Sequence, residues 1–308
     1  MNKLGKVAKD IKELKIQGAT AVAASALNAI KYVAKHSKAK NSDSFIKEIE
    51  KAKDVLYATR PTEPLMRNSL RFILHNIKES GVKDPDKLRH LVAVAADEFL
   101  FNIKKDKGRI AEIGSGKIED GMTVLTHCHS STVVGIFRKA KAQGKKFSVI
   151  CTETRPNYQG RITAKELIKL KIPTTMIVDS AISSFVKKVD VVVVGCDLIT
   201  SDISVLNKVG TFYASLAAKR VGIPFYCAAE LAKFDPETMF GKIEQIEQRP
   251  GKQVWPDAPK NLKIANPVFD ITPRENISAF ITPEGIIPPS AIPDLINDKL
   301  PWIFKGVR

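Results

Sequence analysis

The sequence lacks signals for a membrane, for secretion and for repeats. No apolar run reaches the roughly 18 residues that a membrane-spanning helix requires, so no segment is expected to cross a membrane. The first ten residues contain no apolar signal core, which favours the cytoplasm. Repeats and low-complexity segments are also absent. The 308 residues, 44% of them hydrophobic, are therefore expected to form one large or two ordinary domains with a packed core.

Cysteine and recognisable nucleic-acid motifs are also scarce. The four cysteines form no CxxC pair, so neither a disulfide framework nor a zinc ribbon is indicated. The net charge is +16, but the lysines are spread along the chain, and no RGG segment, zinc finger or basic heptad helix is present. We expect a lysine-rich solvated surface or an anionic small substrate, and we do not expect nucleic acid as a partner.

Residues 1–108 contain few strand signals and predict an N-terminal helical domain. Apolar residues at three- and four-residue spacing indicate two helices that are broken near Gly18. A third helix follows, with Ser42 or Asp43 as its cap. Two prolines then place Arg60 on an extended segment that precedes two further amphipathic helices.

Residues 109–308 show a different pattern, in which short β-rich runs alternate with helical ones. Such alternation predicts a parallel sheet covered by helices. The dinucleotide fingerprint GxGxxG and the phosphate loop GxxxxGK are both missing. The fold class is therefore α/β, an N-terminal helical domain followed by a Rossmann-like parallel sheet domain without a dinucleotide fingerprint. The proline-rich C-terminal stretch is expected to wrap the sheet or a partner subunit. The strand-like runs are MTVLT, FSVICTE, TTMIVD, DVVVVGCD and PFYCAAE.

Chemically active side chains follow three of the predicted strands. Cys128 follows the first strand, Arg155 the second, and Asp197 the four-valine run. In open α/β sheets, ligands bind outside the carboxyl ends of the strands. Cys128 precedes a helix capped by Ser130 or Ser131, and the helix N-terminus is expected to lower the thiol pKa. This cysteine is a candidate acid/base or nucleophile, although a purely structural cysteine stays open.

Further polar residues are expected at the same edge of the sheet. Asn207 and Lys208 open a helical-looking run and suit a phosphate, and Lys233 follows the fifth strand. The alternatives are a capping carboxylate, solvated lysines and an ion pair between Arg155 and Glu153. Zinc is disfavoured because alternate residues of an extended His-Cys-His segment share one side, so the two histidines would lie opposite the cysteine. Cations with one thiol and one carboxylic acid suit proton transfer on a phosphorylated substrate.

Five motifs of this sequence resemble one superfamily, in the same order and over nearly the whole chain. They are TRP at 59–61, THCHS at 126–130, ETRPNYQG at 153–160, GCDLI at 195–199 and NKVGT at 207–211. The superfamily joins the α, β and δ regulatory subunits of translation initiation factor 2B, methylthioribose-1-phosphate isomerase and archaeal ribose-1,5-bisphosphate isomerase. The resemblance implies the same helical-plus-Rossmann layout.

Two positions make the chain resemble the isomerases more than the regulatory subunits. The isomerases share the cysteine and the aspartate that appear here as Cys128 and Asp197, and the regulatory subunits generally lack this pair. The resemblance implies that Asp197, with a raised pKa, exchanges protons with sugar oxygens and that Cys128 moves the proton at C2. Further substrate-binding positions by the resemblance are Gln17, Gly18, Ala19, Thr20, Arg60, Asn207, Lys208 and Lys233.

The chain departs from the family pattern at a few positions near these residues. Gln17 replaces the usual arginine, Cys196 the usual alanine and His129 the common asparagine. Ser201 and Asp202 replace the common Asn-Gly pair. Asp202 would add negative charge near an anion site unless its side chain points away.

The resemblance implies an aldose–ketose isomerase that converts ribose 1,5-bisphosphate to ribulose 1,5-bisphosphate in AMP and nucleoside breakdown. Arg155, Lys208 and Lys233, with the turn at Gln17, would hold the phosphates. No metal and no redox cofactor are implied, and the expected assembly is a homodimer or a hexamer of dimers. The alternatives are a non-catalytic regulatory subunit that binds a translation GTPase or its exchange factor, and methylthioribose-1-phosphate isomerase.

Overall fold

A computed structural model describes residues 3–60, 62–240 and 246–305 of the chain. These residues form two compact units. The sequence division after residue 108 lies close to the first boundary between the units, whereas the helical unit also takes in two later segments. The helical unit comprises the described parts of Met1–Lys105, Ala232–Ile243 and Ile296–Arg308, and the Rossmann-like unit comprises those of Asp106–Leu231 and Glu244–Leu295.

The described helices follow the periodicity of the sequence. They are α1 (Lys3–Lys12), α2 (Ala19–His36), α3 (Ser42–Tyr57), α4 (Pro64–Glu79), α5 (Pro85–Ser115), α6 (Ser131–Ala142), α7 (Gly160–Lys169), α8 (Ile182–Phe185), α9 (Thr211–Val221) and α10 (Ile292–Lys299). The break at Gly18 is confirmed. The predicted cap of α3 is wrong, because Ser42 already lies in the first turn and the Asn41 side chain accepts a hydrogen bond from the Ser44 backbone N–H at 2.9 Å.

The helical unit is held together by the apolar faces of its helices. Helix α2 is rich in alanine, and the small buried side chains of Ala23 and Ala26 allow its neighbours to approach closely. Larger side chains such as Phe45, Leu56 and Leu70 are almost completely buried in the same cluster. Burying each of these large side chains contributes about 1.5–3 kcal/mol before the entropy of ordering is subtracted. Within the described residues, no helix is long and apolar enough to cross a membrane.

The Rossmann-like unit is built around a seven-stranded sheet and a smaller three-stranded one. The strands are β1 (Thr123–Thr126), β2 (Ser148–Thr152), β3 (Thr174–Ile177), β4 (Val191–Gly195), β5 (Leu198–Ile199), β6 (Val205–Lys208), β7 (Phe225–Ala228), β8 (Phe269–Thr272), β9 (Ala279–Thr282) and β10 (Gly285–Ile287). The large sheet has the order β10-β9-β7-β4-β1-β2-β3 and is parallel except for the edge pair β9–β10. The five predicted strand runs become β1, β2, β3, β4 and β7, which confirms the predicted fold class.

The four consecutive valines of β4 are buried because both faces of the sheet are covered. Val191 and Val193 belong to a core cluster that includes Phe137 of α6 and Leu167 of α7. Helix α9 also contacts β4. Continuous burial of this kind explains why the strand reads as an unbroken apolar run with no alternation.

The small antiparallel sheet, of order β5-β6-β8, was not predicted from the sequence. Asn207 and Lys208 end strand β6, and α9 begins only at Thr211, so the prediction that they open a helix is wrong. Their strand conformation depends on pairing with β8, in which Asn207 lies opposite Asp270. The proline-rich C-terminal stretch supplies β8, β9 and β10, and so it forms parts of both sheets.

Candidate functional site

The candidate catalytic pair lies at the point where the strand order of the large sheet reverses. Strand β1 pairs with β2 on one side and with β4 on the other. Strands β2 and β3 are therefore added to the sheet on one side of β1, and β4 and β7 are added on the other side. Cys128 follows β1 by two residues, and Asp197 follows β4 by two residues. The crevice at such a switch point is the usual ligand site of open α/β sheets.

Cys128 is partly exposed, and its backbone has a φ of +65°, which non-glycine residues seldom adopt. Its N–H donates to Thr154 Oγ1 at 3.0 Å. Burial raises the pKa of the Cys128 thiol to about 11, while the charge of Lys208 opposes this shift and the charge of Asp197 adds to it. The expected lowering of this pKa is therefore wrong, because desolvation outweighs the favourable charges. Both charges therefore lie within electrostatic reach of the thiol.

The two histidines that flank Cys128 are engaged in separate hydrogen bonds. His127 is buried, with Nδ1 at 2.6 Å from Thr152 Oγ1 and Nε2 at 2.9 Å from the Val209 carbonyl. His129 Nδ1 lies 3.1 Å from Thr163 Oγ1. In the described part of the chain, no group of three or more His, Cys, Asp or Glu side chains is arranged to hold a metal ion.

Lys208 ends β6, and hydrogen bonds in the loop that follows hold its backbone. Asn207 Nδ2 donates to Thr211 Oγ1 at 3.0 Å, and this hydroxyl donates to the Lys208 carbonyl at 2.6 Å. Asp270 Oδ2 accepts from the N–H groups of Gly210 at 2.6 Å and Phe212 at 3.1 Å. Asp270 was not predicted as part of this region, since only the pairing of β6 with β8 brings it to the start of α9.

Arg155 is anchored by groups of its own unit. Its backbone N–H donates to Asp179 at 2.7 Å, and its guanidinium donates to the Val254 carbonyl at 2.8 Å and to the Tyr158 hydroxyl. Glu153 pairs with Arg161 at 3.7 Å, which differs from the alternative ion pair considered for Arg155. Several guanidinium protons of Arg155 are not used by these two bonds, because arginine has five donors.

The last residue of the ETRPNYQG motif is explained by packing. An added Cβ at Gly160 would lie 1.7 Å from the Thr152 carbonyl oxygen, which is far inside any allowed contact. Helix α7 therefore begins directly against the end of β2, and only glycine permits this approach.

Asp202, the unexpected carboxylate after the Asp197 motif, lies in the turn between β5 and β6. It accepts hydrogen bonds from the Thr200 hydroxyl, from the Ser204 N–H at 3.2 Å and from the Ser204 hydroxyl at 3.0 Å. Burial alone would raise its pKa, but these hydrogen bonds lower the pKa overall. The carboxylate is thus stabilised as an anion within its own turn.

The remaining predicted binding residues belong to the helical unit. Gly18, with a φ of +84°, precedes the first turn of α2, and no side chain caps that turn. Gln17 Nε2 donates to the Leu14 carbonyl at 2.8 Å. Arg60 is buried and pairs with Glu63 at 2.9 Å, and Lys233 is buried in a short 3-10 turn. The amides of Ala19 and Thr20 lie in the first turn of α2, where backbone N–H groups favour an anion.

Together, the fold and the switch-point residues define an α/β protein with a doubly wound sheet and no dinucleotide fingerprint. A thiol and a carboxylate lie at the reversal of strand order, and the charge of a lysine acts on the thiol. The chain belongs to the Initiation factor 2 subunit family, whose sequence profile matches residues 15–289. The superfamily resemblance stated from the motifs is thereby confirmed.

Proteins similar to this chain include enzymes and a translation factor. Ribose 1,5-bisphosphate isomerase of Thermococcus kodakarensis is 42% identical over 306 residues, which cover 97% of this chain and 95% of the relative. Methylthioribose-1-phosphate isomerase of Thermosipho africanus is 36% identical over 305 residues, covering 92% and 86%. The crystal structure of translation initiation factor eIF-2B from Pyrococcus horikoshii OT3 matches with a TM-score of 0.81 at 30% identity, covering 94% and 98%.

Proposed function

We propose that this protein is a ribose 1,5-bisphosphate isomerase, an aldose–ketose isomerase that produces ribulose 1,5-bisphosphate. The observation that carries the proposal is the pairing of Cys128 and Asp197 at the switch point, with Lys208 close enough to act on the thiol. The identity to the isomerase of Thermococcus kodakarensis supports the choice of substrate. The proposed place of the reaction is cytoplasmic nucleotide breakdown, and the proposed assembly is a homo-oligomer, which light scattering would test.

The proposed reaction opens the sugar ring and then transfers protons, and each step has a named group. Asp197 donates a proton to the ring oxygen as the bond between that oxygen and C1 breaks, and it later accepts the proton of the C2 hydroxyl. The thiolate form of Cys128 removes the proton from C2 and returns it to C1, so the proton count is unchanged at the end. Lys208, Asn207 and Arg155 are the proposed phosphate contacts in the Rossmann-like unit. The oxidation at C2 balances the reduction at C1, and no redox cofactor is needed.

In the helical unit, the proposed phosphate contacts are the turn of residues 17–20, Arg60 and Lys233. The turn would act mainly through backbone N–H groups at the start of α2. Each of these contacts can be tested by its own substitution.

The test is to incubate the pure protein with ribose 1,5-bisphosphate and to follow ribulose 1,5-bisphosphate by NMR. Cys128→Ser and Asp197→Asn should each lower kcat by about 100-fold or more, the usual contribution of a positioned acid or base. Asp202→Asn is the matched control, because that carboxylate is engaged in its own turn, and its kcat should stay near that of the wild type.

The pH dependence supplies a second readout of the same proposal. Because the pKa of the Cys128 thiol is about 11, the thiol keeps its proton at neutral pH, and the thiolate fraction should grow about tenfold per pH unit below that pKa. We therefore expect the rate at which iodoacetamide alkylates Cys128 to rise through the alkaline range up to about pH 11. Preference for methylthioribose 1-phosphate in a competition assay would reassign the substrate. Turnover of neither sugar, with binding of a translation GTPase, would establish the regulatory alternative.

A further inference from the structure

His127 directly follows β1 and precedes Cys128, and the proposed function gives it no role. The side chain is only 2% exposed. Its Nδ1 is 2.6 Å from the hydroxyl of Thr152 at the end of β2, and its Nε2 is 2.9 Å from the carbonyl of Val209. Val209 directly follows Lys208 in the chain. The imidazole of His127, the residue before Cys128, thus contacts Val209, the residue after Lys208.

The hydrogen bonds of His127 determine its tautomer. A carbonyl oxygen can only accept, so Nε2 must carry the hydrogen that reaches Val209. Burial lowers the pKa of His127, although the charge of Asp179 opposes this shift, and the ring is therefore neutral at pH 7. A neutral ring with its hydrogen on Nε2 has a bare Nδ1. The contact with Thr152 is consequently donated by the threonine hydroxyl.

This assignment fixes the direction of one further hydrogen bond. The single hydroxyl hydrogen of Thr152 is directed to His127, so the 3.3 Å contact between Thr152 Oγ1 and Thr154 Oγ1 must be donated by Thr154. Thr154 Oγ1 in turn accepts from the Cys128 backbone N–H at 3.0 Å. The result is a one-way chain that runs from the Cys128 N–H through Thr154, Thr152 and His127 to the Val209 carbonyl.

At both ends of this chain of hydrogen bonds, the polypeptide backbone is in unusual conformations that need support. Cys128 and Thr154 have φ values of +65° and +63°. Gly210, directly after Val209, has a φ of +106°, and a Cβ added there would lie 2.9 Å from His127 Cε1. Left-handed backbone at non-glycine residues costs of order 1–3 kcal/mol and persists only when the surroundings hold it. The hydrogen-bonded chain is such a support.

We propose that His127 is a positioning residue, which fixes the Cys128 thiol relative to Lys208 through this directional chain. The inference rests on the proposed isomerase function for its kinetic consequence. Its structural consequence, the environment of the thiol, is independent of any substrate. If the chain is broken, the thiol should lose part of the favourable influence of the Lys208 charge, which at present lowers its pKa.

The experiment interrupts the chain of hydrogen bonds at Thr152, where isosteric variants are possible. Thr152→Val keeps the shape but removes the hydroxyl, whereas Thr152→Ser keeps the hydroxyl and removes a methyl group. We expect Thr152→Val to lower kcat roughly tenfold with KM within about twofold, and Thr152→Ser to stay within about threefold of the wild type. His127→Phe should lose as much kcat as Thr152→Val, and the double variant should lose no more than either, because both interrupt one chain.

Thiol alkylation by iodoacetamide provides the readout that needs no turnover. Cys128 is the partly exposed member of the four cysteines, and Cys151, Cys196 and Cys227 are buried. We expect Thr152→Val to alkylate more slowly than wild type at pH 9, by about threefold, because a higher thiol pKa leaves less thiolate. The serine variant should match the wild type, and circular dichroism should show that all variants are folded.

The outcomes separate the positioning role from the proposed function. Equal kcat and equal alkylation rates for the valine and serine variants would overturn the positioning role, whereas the isomerase proposal would stand on the wild-type activity. A wild type that isomerises no sugar phosphate would refute the proposed function, and the alkylation rates would still decide whether the chain positions the thiol. Loss of stability with unchanged kcat and alkylation would identify His127 as a structural core residue only.

Discussion

Asp270 should make the folded protein less stable as the pH rises from 4 to 7.5. Its Oδ2 accepts two backbone hydrogen bonds at the start of α9, but its Oδ1 is buried with no hydrogen-bond partner among the described residues. Burial raises the pKa of Asp270 from 3.8 to about 6, even though the bonds from Gly210 and Phe212 act in the opposite direction. The ionised carboxylate is thus less well solvated in the folded protein than in the unfolded chain.

The sign of the effect follows from proton linkage. Because the folded-state pKa of Asp270 lies above its unfolded value, the folded state binds more protons between pH 3.8 and about 6. The free energy of unfolding must therefore fall as the pH rises through this window and become constant above it. A pKa raised from 3.8 to about 6 corresponds to about 3 kcal/mol, which we reduce to about 2 kcal/mol because the side chain is partly exposed.

The assay compares urea unfolding of the wild type and Asp270→Asn at several pH values. Asparagine has nearly the same shape and a carbonyl for the two backbone donors, but it does not titrate. Between pH 4 and pH 7.5, the free energy of unfolding of the wild type should fall by about 2 kcal/mol relative to that of the variant. Asp257→Asn, at an exposed position, controls for the change in net charge. The argument would be refuted if the two unfolding free energies changed equally with pH, or if the wild type gained stability relative to the variant.

Two further predictions concern the packing of Gly160 and the turn of residues 17–20. Gly160→Ala should lower the free energy of unfolding by about 2–3 kcal/mol, because the new Cβ would meet the Thr152 carbonyl oxygen at 1.7 Å. Gly108→Ala, in open space within α5, should instead stabilise the protein by about 1 kcal/mol, and similar losses for both variants in calorimetry would contradict the packing argument. Gln17→Arg should lower KM for ribose 1,5-bisphosphate with kcat unchanged, and steady-state kinetics showing a loss of kcat alone would contradict it.

Local sequence patterns were sufficient to predict most of the architecture. The four valines of β4 predict a doubly covered strand, and the alternation of strands with helices predicts the parallel sheet. The expectation that Cys128 and Asp197 lie near each other also came from the sequence, because side chains just after parallel strands share one edge of the sheet. These inferences depend on short-range periodicity and on general rules of sheet topology, and both can be read from the chain alone.

Features that depend on distant segments were missed. Asn207 and Lys208 looked like a helix start because their strand partner, β8, lies about sixty residues later in the chain. The same pairing brings Asp270 to α9, and no local signal marks that carboxylate as part of the site. The role inferred for His127 likewise depends on Thr152 and Val209, which belong to different loops and strands.

The sequence by itself determined which residues form the helices and the parallel strands, since these follow from apolar periodicity and breakers within about 20 neighbouring residues. It also determined that a thiol and a carboxylate follow strand ends. Only the tertiary structure decided the protonation of that thiol, because the pKa of Cys128 reflects how much water the folded chain excludes and how the charges of Lys208 and Asp197 lie around it. Desolvation is a property of packing between remote segments, and no local pattern specifies it.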